Sequence, residues 1–337
     1  MTALPKVAIV SLGGTIASAP AGAARHASPV MSARAISDSV PGLGELAELE
    51  LIDLARLPSI DVTFALAIQV AEAAREAEAR GCTGVVVTQG TDTLEEMSFT
   101  VDLLHEGDMP VAFTGAMRHA GVVGHDGPTN LLDAVRTVIS PGARGLGCLV
   151  VLNEEIHSAR AVRKMHTTSL AAFASPSVGP VGWVTEGVPH LRDRPYRRLA
   201  IRVPSGAEVV RPPLVKIAFD DDGWWLPPLR EGKATGLVLE AMGGGHVPSW
   251  IATELAELAP TIPIVVTSRT GNGQVLESTY GGFPGSETHL IAAGLIPGGS
   301  LDSLKAHILL ALLLTEGADR ERIESVTRTL GKPARVG

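Results

Sequence analysis

Up to about residue 185, short and almost wholly apolar runs alternate with longer stretches whose apolar positions recur at helical spacing. The runs Lys6–Leu12, Leu51–Leu54, Gly84–Thr88, Val111–Thr114 and Gly147–Leu152 are predicted as strands. Val62–Arg80, Glu95–Glu106 and Thr129–Ile139 are predicted as helices. Strands separated by helix-length patterns pair in parallel, because each crossover returns the chain to the same end of the sheet. The unbroken Val85-Val86-Val87 fits a central strand covered on both faces. From Glu186 to Pro213 the texture changes to a segment dense in proline and arginine with little periodicity, which reads as a surface linker. The rhythm then resumes with Thr235–Met242, a helix over Pro248–Ala259, a strand over Ile262–Thr267 and a helix over Leu301–Gly317. That last helix is apolar almost all round (Leu304, Ile308, Leu309, Leu310, Leu312, Leu313 and Leu314), so it must be buried, under a small sheet or at a subunit contact. The predicted architecture is α/β: a larger N-terminal domain over 1–188 with a doubly wound, mostly parallel sheet, a linker over 189–212, and a smaller C-terminal α/β domain over 213–337.

Composition narrows this picture. A chain of 337 residues exceeds the usual single-domain size, and 45% hydrophobic residues supply a sizeable core. Only 4% are aromatic, which suits a helix-covered parallel sheet better than an aromatic-rich sandwich. The net charge of −8 argues against a polyanion-binding surface, so no nucleic-acid partner is expected. Cys82 and Cys148 are the only cysteines, have no metal-site spacing and sit in apolar runs, so both are expected as buried small hydrophobes. No run reaches the ~18 continuous apolar residues of a membrane span. Lys6, the run Val7 to Leu12 and Ala17-Ser18-Ala19 resemble a signal peptide, but Gly13-Gly14 interrupts the run, and the same residues read as a first buried strand; the expectation is cytoplasmic.

In open α/β sheets, ligands bind beyond the carboxyl ends of the strands, so those loops are where chemistry is sought. The first predicted strand ends in Ser11-Leu12-Gly13-Gly14-Thr15, which lacks the spacing of a dinucleotide or phosphate-binding loop. Taken alone it reads first as a glycine turn followed by a helix-capping threonine. The third ends in Thr88-Gln89-Gly90-Thr91-Asp92-Thr93-Leu94-Glu95-Glu96. Asp92 with Glu95, or Thr93 with Glu96, would make a capping box. A hydroxyl beside a carboxylate at the positive end of a helix also suits ammonium binding and activation of a nucleophile or water. The fourth ends in Thr114-Gly115-Ala116-Met117-Arg118, and the fifth runs through Asn153 toward Lys164. A lysine is ordinarily solvated, and Lys164 gains a role as a base only if the fold brings it to Thr91. The histidines form no His-Glu-x-x-His pair, no serine sits in a Gly-x-Ser-x-Gly elbow, and neither a metal nor a cofactor is expected.

Together these segments resemble the bacterial asparaginase–glutaminase family. The resemblance rests on Gly13-Gly14-Thr15-Ile16-Ala17, on Thr88 to Glu96, on Thr114 to Arg118 with Asp126-Gly127-Pro128 and Asn130, on Val151-Leu152-Asn153, on Lys164, and on Ser268-Arg269 with Gly271. It implies that Thr15 attacks a side-chain amide carbon, forming an acyl-enzyme and releasing ammonia. Thr91, Asp92 and Lys164 would handle protons and the attacking water. It further implies that Ser59 binds the substrate α-carboxylate and Asp92 its α-ammonium, and that backbone amides near Thr15, Thr91 and Ala116 form an oxyanion hole. The family's homodimer or homotetramer, with an amino acid as small-molecule substrate, is implied in the same way.

Departures bear on specificity. A lid over Ala19 to Ser32, rich in Ala, Gly and Pro, is expected to close on substrate. Relatives place a tyrosine there, and the corresponding position falls on His26, which either replaces it or is an ordinary exposed histidine. Ile60 stands where relatives use a glutamine and His246 where an asparagine is common, while Tyr280 either reaches a partner's site or packs. These substitutions put the asparagine-to-glutamine preference in question and leave the reaction class untouched. The competing readings are a glutaminase–asparaginase of broader specificity and a non-catalytic amino-acid sensor, which would keep Ser59 and Asp92 but have no need of Lys164 beside two threonines.

Overall fold

A computed structural model describes residues 3–20, 27–29, 31–192, 199–204 and 206–332. The chain forms two compact units, Met1–Ala200 and Ile201–Gly337. In the first, eight strands make one sheet: β1 (Lys6–Gly13), β2 (Glu48–Leu57), β3 (Gly84–Thr88), β4 (Val111–Thr114), β5 (Cys148–Leu152), β6 (Glu155–Ser158), β7 (Gly182–Thr185) and β8 (Val188–Leu191). Their spatial order is β8-β7-β6-β5-β4-β3-β1-β2. The first five pair in parallel, and the last three continue the edge in antiparallel fashion. The chain therefore leaves β1 toward one edge to build β2, then returns to build β3 on the other side of β1. The winding reverses between β1 and β3, and the carboxyl ends of strands at such a reversal are where open α/β sheets bind their ligands.

Register explains the pattern of the strands. Leu51, Ile9, Val86, Ala112 and Leu149 lie side by side across β2, β1, β3, β4 and β5. They share one face with Leu131, Ala134, Val135 and Val138 of a helix over Gly127–Ile139. Ala8, Val10, Val85, Val87, Phe113 and Val150 face the other way, against α1 (Phe64–Ala79) and α2 (Leu94–Leu104). We label the helix over Gly127–Ile139 α3. With helices on both faces, no strand position needs to be polar until the strand ends. Helix α1 starts where the Thr63 side chain accepts the Leu66 N–H, and the first turn of α3 carries Pro128, which has no N–H to leave unpaired. Cys82 and Cys148 are both buried, and neither is in a disulfide.

The antiparallel edge was not legible as strands. Asn153 and Glu154, with φ of 52° and 63°, form a two-residue turn that folds β6 back on β5. Strand β8 continues the sheet into the stretch that reads as a linker. Its Val188 and His190 alternate with better-buried neighbours in a run too short and too mixed to announce itself.

The second unit holds four parallel strands in sequence order: β9 (Leu214–Lys216), β10 (Leu237–Ala241), β11 (Ile264–Ser268) and β12 (Ile296–Pro297). Leu237, Leu239, Ile264 and Val266 pack with Ile251, Ala252 and Leu255 of α4 (Ser249–Leu258). The apolar helix, α5 (Ser303–Glu316), packs on β10 and β11 of its own unit and is followed by α6 (Arg320–Gly331). Its Ile308 to Leu313 are all buried there, which places the helix under the small sheet. The Asp302 side chain caps its start, and Gly317, at φ 81°, ends it in the left-handed conformation. No described helix is long and apolar enough to cross a membrane.

Candidate active site

Four strand-end loops meet at the point where the winding reverses. Gly14 has φ 81°, and a Cβ there would lie 2.0 Å from the Gly90 backbone nitrogen. Only glycine fits, so the loop leading to Thr15 touches the loop leading to Thr91 main chain to main chain. A Cβ on Gly115 would lie 2.5 Å from the Gln89 carbonyl, which sets the β4 loop and Ala116 against the same spot. Thr15 begins a single 3-10 turn, Thr15–Ala17, whose N-cap is Gly14, so the threonine is not acting as a cap. Its side chain is half-buried, and its hydroxyl has no hydrogen-bond partner among the described residues.

The β3 loop is built on its side chains. Thr91 to Thr93 form a 3-10 turn ahead of α2, and Thr93 makes no side-chain cap. Its hydroxyl instead donates to the Ser59 carbonyl at 2.8 Å and accepts from Gln89 Nε2 at 3.2 Å. Ser59 Oγ in turn accepts the Asp92 backbone N–H at 3.3 Å, which leaves the Ser59 hydroxyl hydrogen available to a ligand. Lys164 arrives from a short ladder of Arg163–Lys164 with Phe173–Ala174. Its Nζ donates to Thr91 Oγ1 at 2.8 Å and to Asp92 Oδ1 at 2.6 Å. Thr91 and Ser59 are buried, whereas the Asp92 side chain is 63% exposed. A hydroxyl, an ammonium and a reachable carboxylate thus form one hydrogen-bonded chain. Asp92, Lys164, Met165, His166 and Thr167 line an open cleft of ≈ 310 Å³ beside it.

The Asp126 and Asn130 motif is scaffolding for this site. Asp126 accepts the backbone N–H groups of Met117 and Arg118, both at 2.9 Å. Asn130 donates to the Gly115 carbonyl and accepts from the Asn153 N–H, both at 3.0 Å. The N-terminus of α3 therefore pins the ends of β4 and β5, and with them Ala116. Glu95 was expected at most as a capping partner; it is buried, and its Oε2 accepts the Lys164 backbone N–H at 3.2 Å.

His246 and Tyr280 meet in the second unit, with ring centroids 5.2 Å apart and edge-on. Between them lies Glu287, a buried carboxylate that accepts from His246 Nε2 at 2.8 Å and from the Tyr280 backbone N–H. Burial alone would raise the Glu287 carboxyl. The Tyr280 and other backbone donors together with His246 outweigh it and hold the group below its ordinary range. Nothing in the sequence pattern marks Glu287, because its partners lie 7 and 41 residues away. Tyr280 itself is half exposed, and Ile60 is exposed beside Ser59. His26 lies outside the described residues; the segments flanking it, Ser18–Pro20 and Ala27–Pro29, pair in antiparallel fashion. Among the described residues no group of three or more His, Cys, Asp or Glu side chains could hold a metal ion.

Comparison with known proteins agrees in both halves of the chain. The asparaginase N-terminal family model matches residues 6–197, and the glutaminase/asparaginase C-terminal domain model matches residues 213–326. The chain is 38% identical to a probable L-asparaginase of Deinococcus radiodurans, covering 96% of this chain and 97% of that one. It is 30% identical to the glutaminase-asparaginase of Pseudomonas fluorescens biotype A, covering 96% and 90%. The structure of a probable cytoplasmic L-asparaginase from Campylobacter jejuni superposes with a TM-score of 0.86 at 27% identity, covering 96% of this chain and 99% of that one.

Proposed function

The chain belongs to the asparaginase family and is an amidohydrolase; from that premise we propose that it hydrolyses the side-chain amide of L-asparagine to L-aspartate and ammonia through an acyl-enzyme on Thr15. The observation that carries the reading is the hydrogen-bonded chain Thr91–Lys164–Asp92 beside the loop of Thr15.

In the first step the Thr15 oxygen attacks the amide carbon. The C–N bond breaks, the threonine proton ends on the amide nitrogen, and ammonia leaves. Backbone N–H groups near Thr15, Thr91 and Ala116 face the carbonyl oxygen as it gains charge, where a fixed donor is worth several kcal/mol of barrier. In the second step water attacks the ester carbonyl, the ester C–O bond breaks, L-aspartate leaves, and the Thr15 oxygen takes back a proton from the chain of Thr91 and Lys164. A Lys164 proton passes first to Asp92 Oδ1, which frees a lone pair on Nζ; Thr91 Oγ1 then takes the water proton while its own passes to Nζ. The transfers between Thr91 and Lys164 and between Lys164 and Asp92 run between atoms 2.8 Å and 2.6 Å apart. The Ser59 hydroxyl donates to the substrate α-carboxylate, and the exposed Asp92 carboxylate receives the α-ammonium. His246 and Tyr280 are read as accessory substrate contacts, backed by Glu287, and His26 as the residue of the lid.

The test is ammonia release from L-asparagine, L-glutamine and D-asparagine across substrate concentration, for the parent protein and for Thr15→Ala and Thr91→Ala. Each variant is expected to lose about a thousandfold or more in kcat with its thermal midpoint little changed. Full ammonia release by a verified Thr15→Ala protein would sink the nucleophile assignment. Tight asparagine binding without hydrolysis by the parent would favour a sensor instead. A glutaminase–asparaginase of broader specificity is the second reading, favoured by the likeness to the Pseudomonas protein and by Ile60 and His246 of this chain, which stand where relatives use a glutamine and an asparagine. One methylene of side-chain length is worth only about 1–3 kcal/mol of discrimination. The same premise carries a cytoplasmic placement, in line with the Campylobacter protein, and assembly as a homodimer or homotetramer.

A further inference from the structure

Lys164 carries a flexible four-carbon stem on a strand only two residues long, and among the described residues that strand's sheet partner is the equally short Phe173–Ala174 alone. A ladder of this size has little stability of its own. The hairpin is closed by Met165 N–H donating to the Ala172 carbonyl at 2.7 Å. Each of its two strands is also tied to a buried polar side chain elsewhere in the unit. On the outgoing strand, Glu95 Oε2 accepts the backbone N–H of Lys164 itself, at 3.2 Å. Glu95 stands in the first turn of α2, directly after Thr91-Asp92-Thr93, so it couples the backbone of Lys164 to the turn that holds both of its side-chain partners. On the return strand, Ser175 follows Ala174, and its Oγ lies 3.0 Å from Nδ1 of His157. His157 belongs to β6, which is paired to β5 and β7 of the main sheet. It is 1% exposed, and Glu155 Oε2 stands 3.2 Å from its other ring nitrogen.

We propose that Glu95 and His157 are positioning residues for Lys164: they clamp the two strands of its hairpin to α2 and to the central sheet, and so hold Nζ within reach of Thr91 and Asp92. The proposal rests on the reading of Lys164 as the proton carrier of the reaction. A relay through contacts of 2.8 Å and 2.6 Å tolerates little movement, and a displacement of about 1 Å can cost about a hundredfold in rate. The lysine stem cannot supply that restraint, because its rotamers are many and its backbone ladder is short. The restraint enters through the main chain, at Lys164 N and across the hairpin at Ser175. Burial makes both anchors sensitive to substitution, since a buried acceptor or donor that loses its partner has no water to replace it.

The experiment compares kcat, KM and thermal midpoint for Glu95→Ala, Glu95→Gln, His157→Leu and Ser175→Ala, in the parent and in a Lys164→Ala background. Glu95→Ala, His157→Leu and Ser175→Ala are expected to lower kcat about tenfold to a hundredfold with KM within about threefold. Glu95→Gln, which keeps an acceptor for the Lys164 N–H, is expected to recover most of that loss. In the Lys164→Ala background the same changes are expected to cost no further turnover, as residues acting through one group are non-additive. Ser175→Ala removes the His157 bond by deleting one oxygen and carries the test where His157→Leu does not fold. Parental kcat in Glu95→Ala and Ser175→Ala, or an equal fall of Glu95→Ala and Glu95→Gln, overturns the proposal while leaving the function intact. Parental kcat in Lys164→Ala overturns the functional reading itself.

Discussion

His157 is held neutral by its surroundings: burial pushes its imidazole down to about 4 from an ordinary value near 6.5. In the unfolded chain the same residue takes a proton as pH falls through about 6.5, whereas in the folded chain it waits until about 4. The unfolded state therefore binds more protons throughout that window, and stability falls as pH drops through it. The full effect at this one residue is about 3 kcal/mol. Denaturant titrations between pH 7 and pH 4 are expected to show this loss and His157→Gln to flatten it; a variant with the parent's slope would remove His157 as its source. The same dependence on surroundings governs the site. Asp92 and Thr93 have the local sequence of a helix cap, yet their side chains serve Lys164 and Ser59. Thr15 reads locally as a turn threonine and becomes a candidate nucleophile only because Gly14 lies against Gly90. Lys164 has no local mark at all, since Thr91 is 73 residues away in sequence.

At the scale of elements, legibility followed burial. Strands β1, β3 and β4 are covered on both faces, so their apolar runs stood out, and the reading placed them within a residue of their ends. Strands β6 to β8 and the two-residue strands draw their stability from neighbours, so no run of their own announced them. The helix α5 was legible as buried because it is apolar on every side, but whether the small sheet or another subunit covered it was open. Its Leu309 is 1% exposed on the helix that packs against β10 and β11. Leu309→Ala is expected to destabilise the protein by about 2–5 kcal/mol, the lost transfer energy plus the cavity left behind. A urea titration showing a change under about 1 kcal/mol would mean the side chain is not enclosed.

At the scale of the whole molecule, the chain has few aromatic residues, yet Phe219 and Trp224 are 91% and 77% exposed. Large aromatic side chains left in water are costly, which accords with an assembly that covers them. Sedimentation at micromolar concentration is expected to give the mass of two or four chains, and a single-chain mass would overturn the proposed homo-oligomer. What the sequence by itself determined was the α/β class, the two-part organisation, the central strands and the loops worth searching. All of these follow from local rules: apolar periodicity selects the element, and strands joined by helices must run parallel. What only the tertiary structure decided was which of several polar residues at the strand ends share a site. Spacing along the chain cannot carry that information, because Ser59, Thr91 and Lys164 are joined by a reversal of winding between β1 and β3 and by a hairpin anchored elsewhere. Their chemistry depends on contacts of about 3 Å, which exist only once the sheet has brought the strand ends together.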